Sequence, residues 1–278
     1  MAGKKRAKRK KHGDGKTLAS QADIHVLYEE SVQNVEYEVD FLQQAFAELR
    51  GRKPVTLRED FCGTANAACR WVAVNPDHQA VAVDINPEVL NWGRTHHVAE
   101  LPEQARARVT LLEADVRTVQ TEAADIIVAF NFSYWYFKQR KVLLDYFRAV
   151  HAGLAEDGVF FIDAFGGAGA YEESREKTRN DGFTYIWEQA SYEPISGDYV
   201  CYIHFRFPDG SKIKRAFSYH WRLWTLPELI DLLDEAGFSR TQVYWEGTDD
   251  DGEGNGEYSP TEKGENDPAW IAYVAALR

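Results

Sequence analysis

At 278 residues, with 44% hydrophobic and 27% charged side chains, the chain has an ordinary globular composition and can bury one large core, or a core and a small subdomain. No apolar run approaches the ~20 residues of a membrane span, and no apolar segment follows the charged N-terminus, so neither a membrane partner nor a secretory signal is expected. The net charge of −12 hides an asymmetry: residues 1–16 hold eight Lys/Arg against one Asp (+7), leaving 24 basic and 43 acidic residues (−19), a balance that argues against DNA or RNA as substrate of the folded part.

The chain opens with Lys4-Lys-Arg-Ala-Lys-Arg-Lys-Lys11, which has no large apolar side chain to bury. Residues 1–20 are expected to be a disordered basic tail, and 21–278 one folded domain. The tail is either a tether for nucleic acid or an acidic partner, or simply a solubilising segment. From Asp23 to Arg50, Val26, Leu27, Val32, Val35, Val39, Leu42, Ala45, Phe46 and Leu49 recur at helical spacing. The segment predicts helix, with an interruption near Ser31-Val-Gln-Asn34.

Val55-Thr-Leu-Arg-Glu-Asp-Phe-Cys-Gly-Thr-Ala65 reads as a strand that stops in a turn at Cys62-Gly63-Thr64, and Ala65 to Val74 as a helix. Ala80-Val-Ala-Val-Asp-Ile-Asn86 is a second strand, tipped by Asp84. Together they form the nucleotide-binding half of a βαβ unit. The turn offers bare backbone N–H groups and a helix N-terminus, and the acid accepts hydrogen bonds from ribose hydroxyls. Only Gly63 lies in the turn, so the G-x-G-x-x-G of dinucleotide sites is absent. A cofactor with a ribose but no phosphate fits better, and S-adenosylmethionine (SAM) is such a cofactor.

The alternation continues. Pro87 can open a helix through Leu101. Val109–Asp115 is a third strand tipped by an acid, Ala124–Asn131 a fourth, Lys138–Leu154 a helix and Gly158–Phe165 a fifth strand. Thr225, with Glu228 three residues on, caps a helix from Leu226 to Ala236 that Gly237 ends. Thr241–Trp245 and Trp270–Leu277 complete seven strands, so the fold class is α/β, a mostly parallel three-layer sandwich. Residues 166–220 break the pattern and are expected to form an inserted antiparallel β cap. Thr184-Tyr-Ile-Trp-Glu-Gln189, Tyr199–Phe207 and Lys212–His220 read as its strands, the last two joined at Pro208-Asp-Gly-Ser211. Gly247–Asp267, acidic and glycine-rich, reads as a solvated loop or a lid.

Glu59-Asp-Phe-Cys-Gly-Thr-Ala65, with Asp84 twenty-one residues beyond Gly63, resembles the first motif of class I SAM-dependent methyltransferases, an acid followed by x-x-Cys-Gly-Thr-Gly. It departs from that motif at Ala65, where glycine is usual and where alanine suits a helix start. The resemblance covers roughly Asp23 to the C-terminus. It implies a Rossmann-like sheet of order 3-2-1-4-5-7-6 with the last strand antiparallel, SAM as cofactor, and methyl transfer as the activity. It further implies that Cys62 and Gly63 contact the methionine part, with Glu59 beneath. Asp84 and Ile85 would meet the ribose, Asp115 and Val116 the adenine, and Asn131 and Phe132 would flank the sulfonium. Tyr28 and Gln33, ahead of the first strand, are candidates for a lid.

Three acids at consecutive strand ends are hard to explain as core, because unpaired buried carboxylates are costly; Asp115 has a second reading as a cap for the segment behind it. Phe132-Ser-Tyr-Trp-Tyr-Phe137 holds five aromatics in six residues without strand alternation. Tyr134 and Tyr136 are therefore candidates for an acceptor wall, able to hold a cationic amine or the sulfonium methyl, or else they pack under the next helix. Tyr202, His204 and Arg206 share one strand face. His204 and Arg206 are candidates for binding an acidic group of the acceptor, or form a plain exposed face. No catalytic cluster is evident, and a displacement at a sulfonium needs mainly alignment and exclusion of water. Three scattered cysteines and eight histidines without H-x-x-x-H give no disulfide framework and no metal site. The reading is a cytoplasmic SAM-dependent methyltransferase with a small-molecule acceptor. A nicotinamide-dependent Rossmann oxidoreductase is disfavoured by the missing glycines. A non-catalytic SAM-fold protein binding nucleic acid or protein through residues 4–11 is the remaining alternative.

Overall fold

The computed structural model describes residues 16–249 and 254–278. The basic run Lys4–Lys11 lies outside them. The start of the body differs from expectation: Leu18–Ser20 form a 3-10 turn, capped by Thr17 and docked on the 208–211 turn. Leu18 N donates to Asp209 Oδ2 at 2.9 Å and Ala19 N to Ser211 Oγ at 3.1 Å, so residues 17–20 are part of the folded body and not of a disordered tail.

The first helical segment is two helices, α1 (Ile24–Val32) and α2 (Val35–Arg50), broken where Gln33 turns extended and Asn34 caps α2 by accepting from Tyr37 N. Five parallel strands follow: β1 (Thr56–Asp60), β2 (Gln79–Asp84), β3 (Val109–Glu113), β4 (Ala124–Ala129) and β5 (Leu154–Gly166). Their crossovers carry α3 (Asn66–Val74), α4 (Pro87–His96), the single turn α5 (Glu103–Arg106) and α6 (Arg140–Gly153). The helix opened by Pro87 stops at His96, short of Leu101. The cap follows as β6 (Ser174–Asn180), β7 (Phe183–Tyr192), β8 (Asp198–Arg206) and β9 (Lys212–Arg222). The chain closes with α7 (Leu226–Ala236), β10 (Arg240–Thr248), β11 (Gly254–Thr261) and β12 (Trp270–Leu277).

The main sheet runs β11-β10-β12-β5-β4-β1-β2-β3, with β12 antiparallel to both β5 and β10. The seven expected strands thus stand in the expected order, and β11 is an eighth. It lies in the stretch read as a solvated loop, of which 250–253 are outside the described residues. Its sequence is mostly glycine and polar, and Tyr258 is its anchor: the ring sits 4.5 Å from Tyr273, and its N–H donates to Tyr37 Oη at 3.2 Å. Both faces of the sheet are covered, which is why all six residues of β4 are buried. Along β5, Val159 and Phe161 pack with α2 and α3, while Phe160 and Ile162 pack with α6 and α7.

The cap is a separate four-stranded antiparallel sheet, β6-β7-β8-β9. Its register sets Glu176, Trp187, Ile203 and Phe217 in one row, and Gln189, Cys201 and Tyr219 in the next. These rows form the inner face, which packs on Leu27, Tyr28 and Val32 of α1. Arg175, Glu188, Tyr202 and Ser218 make the intervening row on the outer face, and Lys177, Ile186 and His204 the outer-face row on the other side of Glu176. Strand β6 was not expected, because Ser174-Arg-Glu-Lys-Thr-Arg-Asn180 has no apolar side; a charged edge strand of this kind resists pairing with other chains.

Candidate functional site

The carboxyl ends of β1 to β4 open onto a cavity of about 560 Å³, covered by α1 and by Phe217 and Tyr219 of the cap. Strand ends are where an open α/β sheet binds ligands, because loops diverge there. Glu59, Cys62, Gly63, Asp84 and Ile85 line it from β1 and β2. Asp115, Val116 and Asn131 line it from β3 and β4, and Tyr28 and Gln33 from above.

Backbone strain is concentrated here. Of five non-glycine residues with positive φ among those described, four lie at these ends: Phe61 (58°), Ala65 (58°), Asn131 (57°) and Phe132 (54°). Such conformations persist only where surrounding bonds hold them, and they cluster at functional sites. At Asn131 and Phe132 the holder is Asp163, whose carboxylate accepts from both N–H groups at 2.7 and 2.9 Å. Gly63, at φ 54°, needs glycine for its conformation alone, since a Cβ there would meet nothing within 4 Å. Its N–H donates to Asp84 Oδ2 at 2.9 Å, and Asn86 N donates to Oδ1 at 2.8 Å. Asp84 is thereby oriented and keeps lone pairs for a ligand. Ala65 stands at the helix start, as the left-handed N-cap of α3, with its methyl at 0% exposure in the core and not at the cavity.

The floor is acidic. Glu59 accepts from Ala68 N at 2.9 Å, and enclosure by the cavity wall pushes its carboxyl up to about 8. Glu38 of α2, only 8% exposed, is pushed by burial to about 7, and burial does the same to Asp163. Below them Asp60 is held by Arg58 at 2.8 Å and by Tyr146 Oη at 2.9 Å. Asp115 serves as a cap, accepting from Arg117 N at 2.9 Å, and the Arg117 guanidinium 2.5 Å away holds it below the usual carboxylate range. Sequence reasoning missed Glu38 and Asp163. The available signal was an acid inside an apolar stripe, Val35-Val39-Leu42 for one and Phe160-Phe-Ile-Asp-Ala-Phe165 for the other. It also missed the tie between lid and motif: Thr64 Oγ1 donates to Glu29 Oε1 at 2.5 Å, which also meets His97 Nε2 at 2.7 Å.

Four residues sit elsewhere than expected. Phe132 lines a second cavity, of about 380 Å³, that shares Tyr28, Asn131 and Tyr219 with the first. Tyr134 is no cavity wall: it is fully buried, packs 6.0 Å from Phe147 and donates to the Asp163 backbone oxygen at 2.7 Å. Tyr136 does line the first cavity, 48% exposed, and its hydroxyl reaches Ser218 O at 3.4 Å. His204 and Arg206 are on the outer face of the cap, because Cys201, Ile203 and Phe205 take the inner one. His204 is occupied there, with Nε2 2.6 Å from Glu188 and Nδ1 accepting from Arg215 N. The chain has one Tyr-x-x-x-Lys spacing, Tyr134 to Lys138, but Lys138 pairs with Asp198 at 2.9 Å and makes no oxidoreductase dyad with the buried phenol.

No family model matches the chain, and no curated protein matches it. Solved structures do. A SAM-dependent methyltransferase from Clostridium acetobutylicum is 18% identical with a TM-score of 0.67, over 91% of this chain and 97% of that one. CalS10, an amino pentose methyltransferase from Micromonospora echinaspora solved with SAM bound, is 14% identical with a TM-score of 0.63, over 96% and 100%. The sugar N-methyltransferase KedS8 from Streptoalloteichus is 16% identical with a TM-score of 0.61, over 100% and 99%. At these identities the likeness is one of fold, and the fold is that of the class I SAM-dependent methyltransferases. Among the described residues no helix is long and apolar enough to cross a membrane.

Proposed function

We propose that this protein is an enzyme that methylates a small molecule with SAM as the methyl donor. One observation carries the reading: in this fold, the Gly63 turn, the oriented Asp84 and the acidic floor of Glu38 and Glu59 converge on a single cavity of about 560 Å³, a size suited to a nucleoside-like ligand. The residues fit the cofactor. Asp84 has acceptor capacity for ribose hydroxyls, Asp115 and Val116 would hold the adenine, and Asn131, which lines both cavities, would flank the sulfonium. The floor favours net positive charge, which SAM carries and a dinucleotide does not; the one arginine lining the cavity, Arg117, is engaged by Asp115. When bound, SAM supplies an electrophilic methyl group on a sulfonium.

The chain's own contribution is alignment and dryness. Tyr28 and Gln33 cover the cavity, and Asn66 Nδ2 holds Gln33 by donating to Oε1 at 3.1 Å. The cap closes the acceptor side, which favours a small acceptor over a polymer, and the neighbours named as amino pentose and sugar N-methyltransferases use acceptors of that size class. Calorimetry with SAM, S-adenosylhomocysteine (SAH) and NADH tests the cofactor, with saturable SAM and SAH binding expected. Binding of NADH without SAM would overturn the reading. A screen of small acceptors and of RNA and protein, scored by SAH release, tests the substrate class.

A further inference from the structure

We infer that the second cavity is the acceptor site, and that it takes a small, flat, apolar molecule bearing a basic amine. This rests on the methyltransferase reading and adds the chemistry of the acceptor to it. The walls are aromatic: Phe132 and Phe165 rise from strand ends, Trp187 and Trp221 come from the cap, and Trp270 opens β12. Phe132 stands edge-on to Phe165 at 5.0 Å and to Trp221 at 6.2 Å, and Trp187 is 6.3 Å from Trp221. About 380 Å³ between such faces suits one or two fused rings.

Charge fixes the rest of the class. No Lys, Arg or His lines this cavity, whereas Glu176 and Glu246 do. Among the described residues neither carboxylate is in an ion pair; Glu246 accepts from Gly256 N at 2.9 Å and meets the Tyr258 hydroxyl. The cap sheet sorts its charges by pleat. On β6, Glu176 faces inward in the row of Trp187, while Arg175 and Lys177 alternate to the outer face. An anionic acceptor would therefore meet two unpaired acids and no cation. A protonated amine would meet acids at the mouth and the negative faces of aromatic rings within, both attractive.

Tyr28, Asn131 and Tyr219 belong to both cavities, so an acceptor nitrogen can pass between them toward the donor. The ammonium first gives up one proton to water at the mouth, where Glu176 is exposed. Its freed lone pair then forms the N–C bond as the S–C bond breaks, the bonding pair staying on sulfur. The positive charge lost from the sulfonium appears on the methylated nitrogen.

The test is binding to the full chain saturated with SAH, with tryptamine and phenethylamine as probes and indole-3-acetate and phenylacetate as their anionic counterparts. Calorimetry should show saturable binding of at least one amine, and at least about tenfold weaker binding of its counterpart. Glu176→Gln should weaken the amine about fivefold and Trp187→Ala tenfold or more, with SAH affinity unchanged in both. Glu176→Gln is nearly isosteric at an exposed position, so it stays informative if the tryptophan variant fails to fold. The inference is overturned if the anions bind as well as the amines, if neither amine saturates at millimolar concentration, or if Glu176→Gln leaves amine affinity unchanged. If the wild-type chain binds neither SAM nor SAH, the proposed function itself falls; if it binds SAH and no amine, only the acceptor class does.

Discussion

The first cavity takes most of its polar groups from the ends of β1 to β4, with Glu38 added from α2, and holds them with left-handed backbone and backbone-to-carboxylate bonds. The second takes its aromatic and acidic walls largely from alternate positions on antiparallel strands, so its chemistry depends on register. A slip of one residue between β6 and β7 would bring Arg175 or Lys177 to the row now held by Glu176 and reverse the sign of the wall. Cofactor chemistry is written locally and acceptor chemistry through pairing. The two halves should therefore fail in different ways.

The most damaging change should lie under the first cavity. Arg58 is 2% exposed and its charge is answered by Asp60, so Asp60→Ala leaves a buried guanidinium unpaired. Breaking a buried pair from one side costs about 3–5 kcal/mol, and urea denaturation should show a loss of that order. Among the described residues the inner face of the cap has no such pair, and Trp187→Ala should cost less. If the two losses are equal, the contrast between a polar scaffold on one side and packing on the other is wrong.

Next in size is Asp84→Ala. A charge-assisted hydrogen bond is worth about 1.5–3 kcal/mol, so SAM should bind roughly ten- to a hundredfold more weakly. Amine binding to the second cavity, measured without cofactor, should change little. Unchanged SAM affinity in a folded variant would remove Asp84 from the site.

Acidity separates the cavities further. Glu38 and Asp163 sit near 7 and Glu59 near 8, all raised by burial. A raised carboxyl favours the folded state fully below its unfolded value near 4 and loses that contribution as pH climbs through 7 to 8. Ligand-free protein should thus soften from about pH 4.5 to 8, by up to roughly 1.4 kcal/mol per pH unit for each group between its unfolded and folded values, and the slope should flatten above about pH 8 once all three have ionised. A cation in the cavity favours the ionised forms, so SAM affinity should rise over the same span and binding should release protons. Calorimetry in buffers of different ionisation enthalpy reads that release directly. Proton uptake, or affinity flat with pH, would show that these acids do not face the cofactor's charge.

The same contrast explains what could be read from sequence. The strand-helix alternation, the Gly63 turn and the acid at Asp84 are local patterns and were legible, and the seven-strand order followed from the family resemblance that those residues carry. Strands β6 and β11 were not, since charged and glycine-rich segments carry no apolar alternation and are held by pairing and by single anchors such as Tyr258. His204 and Arg206 were given to the cavity because they share a face, but a face becomes inner by burying its apolar side, here Cys201, Ile203 and Phe205. Tyr134 stood in an aromatic run whose members divide between core and cavity only once Asp163 and α6 are in place.

The smallest effect should come from the motif's one departure, and it tests how local the first cavity is. Ala65 has φ 58° and ψ 31°, where an L residue is disfavoured by roughly 1–2 kcal/mol, and glycine is free of that cost. Ala65→Gly would also remove a fully buried methyl, worth about 0.8 kcal/mol, and add unfolded-chain freedom worth about 0.4–1 kcal/mol. The terms nearly cancel, so stability should move by less than about 1 kcal/mol in either direction. SAM affinity should stay within about twofold, because the methyl packs in the core and leaves the backbone of the turn to Gly63. A large gain in affinity would mean that the methyl crowds the cofactor, and that the turn at 62–65 relaxes toward the ligand in a way its packing against α3 does not suggest.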